Sequence, residues 1–210
     1  MTTGAFRPRR ALAFRRHATA LATTAVLLLA GTGCAADDLA GQYRDGTNKG
    51  YISGDGRIVE IPAGERGDAV EFEGVTENGT TVTSDQYREQ VLVVNFWYAA
   101  CGPCRVEAPH LQAVYEEFAG AGADFLGINT YDQPATASSF AETYGITYPS
   151  VIDVENGAAK LAFAQVAPVQ ATPTTLVLDQ QGRVAARISG PIDSPSTLRT
   201  IVKDLIQEGQ

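Results

Sequence analysis

Cys101 and Cys104, separated by Gly102-Pro103, are the residues best placed for chemistry in this chain. They follow an almost continuously apolar run, Val91-Leu92-Val93-Val94-Asn95-Phe96-Trp97, and precede a stretch of helical period from Glu107 to Phe118. Two intervening residues bring both sulfurs within bonding distance on the first turn of a helix. The amides of that turn have no intrahelical partner, and the positive end of the helix dipole lies beside them. Such surroundings favour thiolate over thiol, and the thiolate is the attacking species in disulfide exchange. Cys101 is therefore the expected nucleophile. Cys104, one turn deeper and less exposed, is expected to resolve the mixed disulfide. Pro103 suits a first turn because the N–H it lacks would have no helical partner there. The chemistry needs no cofactor, since the dithiol itself carries the electron pair.

Two blander readings of the pair are weak. A permanent bridge closing so short a loop constrains the unfolded chain little. A zinc site needs three or four ligands, and only His110 would join the two cysteines once an N-terminal leader is removed. His110 itself reads as a partly exposed helix residue. Glu107 is more informative. On a helical projection Cys104, Ala108, Leu111, Tyr115 and Phe118 form a stripe with Glu107 beside it. A carboxyl near that seam is partly buried, holds its proton closer to neutral pH, and can take the Cys104 proton during resolution. The competing reading is an ordinary solvated glutamate. Thr172-Pro173 opens a later apolar run; proline is common at a strand start, and sequence alone does not fix its isomer.

The elements that must position these groups follow from the apolar pattern. Short alternating runs at 58–61, 70–72 and 80–82, with Asn78-Gly79 between the last two, predict an N-terminal β-hairpin. The 91–97 run reads as a strand buried on both faces, hence central in a sheet with helices on both sides. A helix to Phe118 stops at Gly120. Strand 124–129, helix 134–143, strand 149–153, a hairpin of 174–179 with 184–189, and a closing helix 194–208 complete the order. A βαβ unit joined to a hairpin implies an α/β fold with a mixed central sheet and an extra N-terminal hairpin.

The N-terminus has a different texture. Arg7, Arg9, Arg10, Arg15 and Arg16 precede an uncharged run from Ala18 to Ala30 that is short for a bilayer span. With Gly31-Thr32-Gly33 behind it, this reads as a signal peptide over residues 1–33. Cys34 then stands where bacterial lipoproteins carry their acylated cysteine, with Gly31 departing from the leucine usual there. The resemblance implies lipidation at Cys34 and a membrane attachment through acyl chains outside the cytoplasm. Residues 34–56 are small, polar and glycine-containing, a flexible tether leading to a domain at 57–210. The whole chain carries a net charge of −8, and residues 1–33 hold five Arg and no acid, so the remainder carries −13. So acidic a domain is repelled by nucleic acid and by anionic lipid.

The residues now resemble the thioredoxin superfamily, and within it the TlpA/ResA-like extracytoplasmic thioredoxins. The resemblance runs from about Ile61 to Gln207. It rests on Val94-Asn95-Phe96-Trp97, on Cys101-Gly-Pro-Cys-Arg-Val-Glu-Ala-Pro109, and on Ala171-Thr172-Pro173-Thr174-Thr175. It implies that Pro173 is cis and lies against the cysteines, that Glu107 is the active-site glutamate, and that Pro109 kinks the active-site helix. It also implies that Trp97, Gly102, Pro103, Thr172 and Pro173 form the substrate-facing surface. Asn95 replaces the buried aspartate of cytoplasmic thioredoxins, and Ala100 replaces the tryptophan usual before the first cysteine. The implied function is reduction of disulfides in exported proteins, among them apocytochrome c. A membrane dithiol carrier of the DsbD/CcdA kind is the implied electron donor. Two alternatives share the fold. A peroxiredoxin places Thr or Ser three residues before its reactive cysteine, and Tyr98 stands there. A copper-binding module needs a distant histidine, and none follows His110.

Overall fold

A strand with both faces apolar dictates layers on both sides of the sheet that contains it. The computed structural model describes residues 56–209. The expected signal peptide, Cys34 and the expected tether up to residue 55 lie outside the described residues. In chain order the elements are β1 (Ile58–Glu60), β2 (Glu73–Val75), β3 (Thr81–Thr83), a 3-10 turn (Ser84–Tyr87), β4 (Val91–Trp97), α1 (Gly102–Phe118) and β5 (Ala123–Asn129). They continue with α2 (Pro134–Tyr144), β6 (Ser150–Ile152), α3 (Ala158–Ala164), β7 (Thr174–Leu178), β8 (Val184–Ser189) and α4 (Pro195–Glu208).

Six strands form one mixed sheet in the order β1-β8-β7-β4-β5-β6. β4 pairs in parallel with β5, and β5 with β6, which makes α1 and α2 crossover helices. β7 runs antiparallel to β4, with Asn95 opposite Thr175 and Phe96 opposite Thr174. All seven residues of β4 are buried. Its alternate side chains feed two cores. Leu92, Val94 and Phe96 join Leu126, Ile128, Leu176 and the α3 residue Phe163 on one face. Val91 and Val93 join Phe125, Val177, Leu111 of α1 and Leu198, Ile201 and Val202 of α4 on the other. Each fully buried side chain of this size is worth about 1.5–3 kcal/mol in transfer free energy. The thioredoxin-type architecture, with helices on both faces of a mixed sheet, is therefore present.

β1, from the 58–61 run, pairs with β8 at the edge of the main sheet, Ile58 opposite Ile188. Two local differences from the sequence reading have physical causes. The hairpin is β2–β3, a separate two-stranded sheet, and its first strand lies three residues later than the alternation suggested. Val70 and Phe72 are drawn into the α3-side core instead, where Phe72 packs against Tyr87 and Phe163. α3 went unread because seven residues carry too little periodicity. Its first turn is held by Asp153, which accepts from the N–H groups of Ala159 and Lys160, both at 2.9 Å.

Candidate active site

β4 delivers the chain to the cysteines at the end of the sheet where β7 begins. Cys101 is the N-cap of α1, with extended backbone (φ −70°, ψ 112°). Its Sγ accepts from the Cys104 N–H at 3.2 Å, the role a serine oxygen takes in an ordinary cap. Cys101 and Cys104 are joined by a disulfide, with Cα atoms 5.3 Å apart. In this state the two differ little in accessibility, 3% and 2% exposed. Exposure therefore does not distinguish them; position does, because Cys101 sits at the helix start and Cys104 within its first turn. Gly102 and Pro103 are exposed on the rim. Pro109, inside α1, has no N–H to offer the Arg105 carbonyl.

Glu107 is completely buried, more deeply than the helical projection suggested. The connection between β8 and α4 folds over it. Oε2 accepts from the Ile192 N–H at 2.9 Å, and Oε1 accepts from Asn95 Nδ2, also at 2.9 Å. Asn95 donates from the same nitrogen to Thr175 Oγ1 at 3.0 Å. Burial pushes the Glu107 carboxyl up to about 7; the donors Ile192 and Asn95 oppose that rise without cancelling it, and Asp193 adds to it. Tyr148, buried nearby, is pushed upward by burial and, second, by Glu107. A cavity of about 20 Å³ lies behind Cys104, lined by Asn95, Trp97, Tyr148 and Ser150 among others. That is room for about one water-sized occupant. Glu107 does not line it; Asn95 connects the two.

Trp97, the chain's one tryptophan, lies beneath the cysteine pair and not on the surface. It is 6% exposed, packs with Cys101, Cys104, Ala108 and Phe140, and donates from Nε1 to Ser150 Oγ at 3.2 Å. Gly127 makes this possible: a Cβ there would overlap Ser150 Oγ and approach Trp97 Nε1 to 2.8 Å. Thr172-Pro173 is cis. Pro173 is buried immediately before β7, its carbonyl accepting from the Gly190 N–H at 2.9 Å, and Thr172 is half-buried.

The sequence reading missed a clamp on the loop between β4 and α1. Asp132 Oδ2 accepts from the Ala99 N–H at 2.6 Å and from Asn129 Nδ2 at 2.9 Å. Asn129 Oδ1 accepts from the N–H groups of Tyr131 and Asp132. The Thr130 N–H donates to the Trp97 carbonyl at 3.1 Å. An Asn-Thr-Tyr-Asp run after a buried strand was the available signal. His110 is half-buried on α1, and among the described residues no three His, Cys, Asp or Glu side chains are grouped to hold a metal.

The sequence profile of the AhpC/TSA family matches residues 66–187. The thiol-disulfide oxidoreductase ResA of Geobacillus kaustophilus is 33% identical over 104 residues, which cover 50% of this chain and 57% of that relative. The chain thus spans little more than half of that protein. Among solved structures, a DsbF homologue from Corynebacterium diphtheriae superposes with a TM-score of 0.63 at 30% identity, over 74% of this chain and 97% of the other. A secreted thiol-disulfide isomerase from Corynebacterium glutamicum superposes with a TM-score of 0.65 at 27% identity, covering 76% and 99%.

Proposed function

The chain belongs to the AhpC/TSA family, and from that premise we propose that it is a thiol–disulfide oxidoreductase acting through Cys101 and Cys104. The observation that carries the reading is the disulfide at the start of α1 with a buried carboxyl, Glu107, one turn behind it. In the reduced protein the Cys101 thiolate, stabilised by the Cys104 amide and the helix terminus, attacks a substrate disulfide. A mixed disulfide forms and the first substrate sulfur leaves, taking a proton from solvent. Cys104 gives its proton to Glu107 and attacks the Cys101 sulfur. The second substrate sulfur leaves, and the internal disulfide forms. Two electrons pass from the dithiol to the substrate.

The substrates on this reading are disulfides of exported proteins, apocytochrome c among them, met outside the cytoplasm. The leader-like N-terminus and the secreted relative from Corynebacterium glutamicum support that location. Acylation of Cys34 would hold the domain at the outer face of the membrane, and a membrane dithiol carrier of the DsbD/CcdA kind would return the electrons. Gly102, Pro103 and the half-buried Thr172 are the surface offered to substrate, with the buried Pro173 following Thr172 and Trp97 supporting the pair from beneath.

Trapping tests the assignment. Cys104→Ser should accumulate mixed disulfides at Cys101, and Cys101→Ser should not; the reverse pattern exchanges the two roles. Direction is tested by the reduction potential of the pair. A value near −120 mV, that of a strong oxidant, would overturn the reductant reading. Rapid turnover of peroxide by the reduced protein would move the function to a peroxidase.

A further inference from the structure

We propose that Tyr131, braced by Tyr98, selects the polypeptide presented to Cys101, favouring chains with an apolar or aromatic side chain beside the disulfide cysteine. The proposal rests on the oxidoreductase reading of the cysteine pair and names the substrate feature that this pair would meet.

The immediate rim of Cys101 has little to recognise with. Ala100, Gly102 and Pro103 are exposed but offer a methyl group, a bare backbone and a pyrrolidine ring, while Trp97 is buried below. A partner joined to the Cys101 sulfur must lie across this rim, so larger apolar groups next to it supply the contact. Among the described residues four large apolar side chains are exposed: Val75, Val106, Tyr131 and Leu161. Val75 is on the β2–β3 hairpin and Leu161 on α3. Val106 is on α1. Tyr131, at 72%, is the most exposed of the four and the only aromatic among them.

The geometry ties that ring to the reactive cysteine. Tyr131 packs on Tyr98 with ring centroids 5.7 Å apart and planes inclined at 47°. The Tyr98 carbonyl accepts the Cys101 N–H at 3.1 Å. The backbone beneath Tyr131 is fixed by the Asn129–Asp132 clamp already described, with Asn129 fully buried. An exposed aromatic on an immobilised loop loses little conformational freedom when it is covered. The occupant is the substrate chain itself, because covalent attachment at Cys101 holds it over this surface.

Two synthetic peptides decide the matter, each with the same intramolecular disulfide, one with Phe and one with Ser beside the first cysteine. The reduced wild-type protein should prefer the Phe peptide in kcat/KM. Tyr131→Ser should cut that preference about fivefold, carried by KM, and Tyr131→Phe should retain it because the ring and not the hydroxyl makes the contact. An unchanged preference in Tyr131→Ser, or an equal loss on both peptides, overturns the proposal. So does an unchanged preference accompanied by conversion of a dimer to a monomer, which would make the ring a self-association surface. Failure of the wild-type protein to reduce either peptide is a different result and sinks the oxidoreductase reading beneath it.

Discussion

Glu107 and Asp179 are both buried carboxylates held by several hydrogen bonds, yet they are pushed in opposite directions. Glu107 receives one amide side chain and one backbone N–H, both neutral, and its affinity for a proton rises to about 7. Asp179, at the far end of β7, is also penalised by burial, but the Arg183 N–H and the side chains of Arg66 and Arg183 outweigh that penalty and hold it below the usual carboxylate value. Its Oδ2 lies 3.0 Å from Arg66 Nη1 and 2.8 Å from Arg183 Nη2. Depth alone therefore does not decide whether a carboxyl keeps its proton. The charge of its partners does. One end of the sheet carries a group suited to move protons near neutral pH, and the other a fixed anion that ties the 62–66 segment, the β7–β8 turn and, through Arg66 and Glu208, the end of α4.

The contrast can be broken most forcefully at Asp179. The Arg66 side chain is 2% exposed, so Asp179→Ala leaves a buried cation with Glu208 as its remaining carboxylate partner beside the neutral Ile61 carbonyl. Urea unfolding should show a loss of about 3 kcal/mol, and a loss under about 1 kcal/mol would mean the cluster is not holding the fold.

Glu107→Gln should change both stability and rate. In the wild-type protein the folded state holds the Glu107 proton between the unfolded value of 4.5 and about 7. The unfolded state binds fewer protons in that window, so this group's contribution to stability is present below 4.5 and lost as pH rises through 7. Its size is roughly 3 kcal/mol. Asp179 gives the opposite slope at acid pH, its contribution being lost as pH falls through its lowered folded value. Glu107→Gln should remove the loss toward pH 7 in a pH series of unfolding curves. It should also slow resolution of the mixed disulfide by about 100-fold; a single-turnover rate within twofold of wild type would leave the carboxyl without a part in proton transfer.

Asn95→Ala gives the finest test. It removes one of the two donors that oppose the effect of burial on Glu107, so the midpoint of the resolution rate against pH should move up by about one unit. A stationary midpoint would show that Asn95 does not hold the Glu107 charge.

Residue type and spacing made the chemistry legible and left its surroundings dark. Cys101, Cys104 and the strand–helix junction around them declare themselves over a short stretch, because only Tyr98-Ala99-Ala100 separate the apolar run from the motif. Glu107 was visible as a residue beside the buried stripe. Its depth was not, since the covering N–H belongs to Ile192, 85 positions away, and no periodicity reports that. Asn95, polar inside an apolar strand, was conspicuous, but its double donation to Glu107 and Thr175 depends on the β4–β7 register. The Asn78-Gly79 turn was readable while the strands beside it slipped, because Val70 and Phe72 alternate like strand residues and serve the core instead. Asp132 has no local pattern to mark it, since its partner Ala99 lies 33 positions away.

The β2–β3 hairpin lies along β6, where the main sheet would otherwise end. Thr76 bridges Val151, the Glu77 N–H donates to the Ser150 carbonyl at 3.0 Å, and the Ser150 N–H donates to the Glu77 carboxylate at 2.8 Å. The outward-facing backbone of β6 at Ser150 is thereby spoken for. An open strand edge is a template on which extended chains add themselves and from which aggregates grow. On the proposed function, extended substrate chains would meet such an edge, and a hairpin across β6 would let the protein hold them by sulfur at one end of the sheet without their being zipped to it along its side.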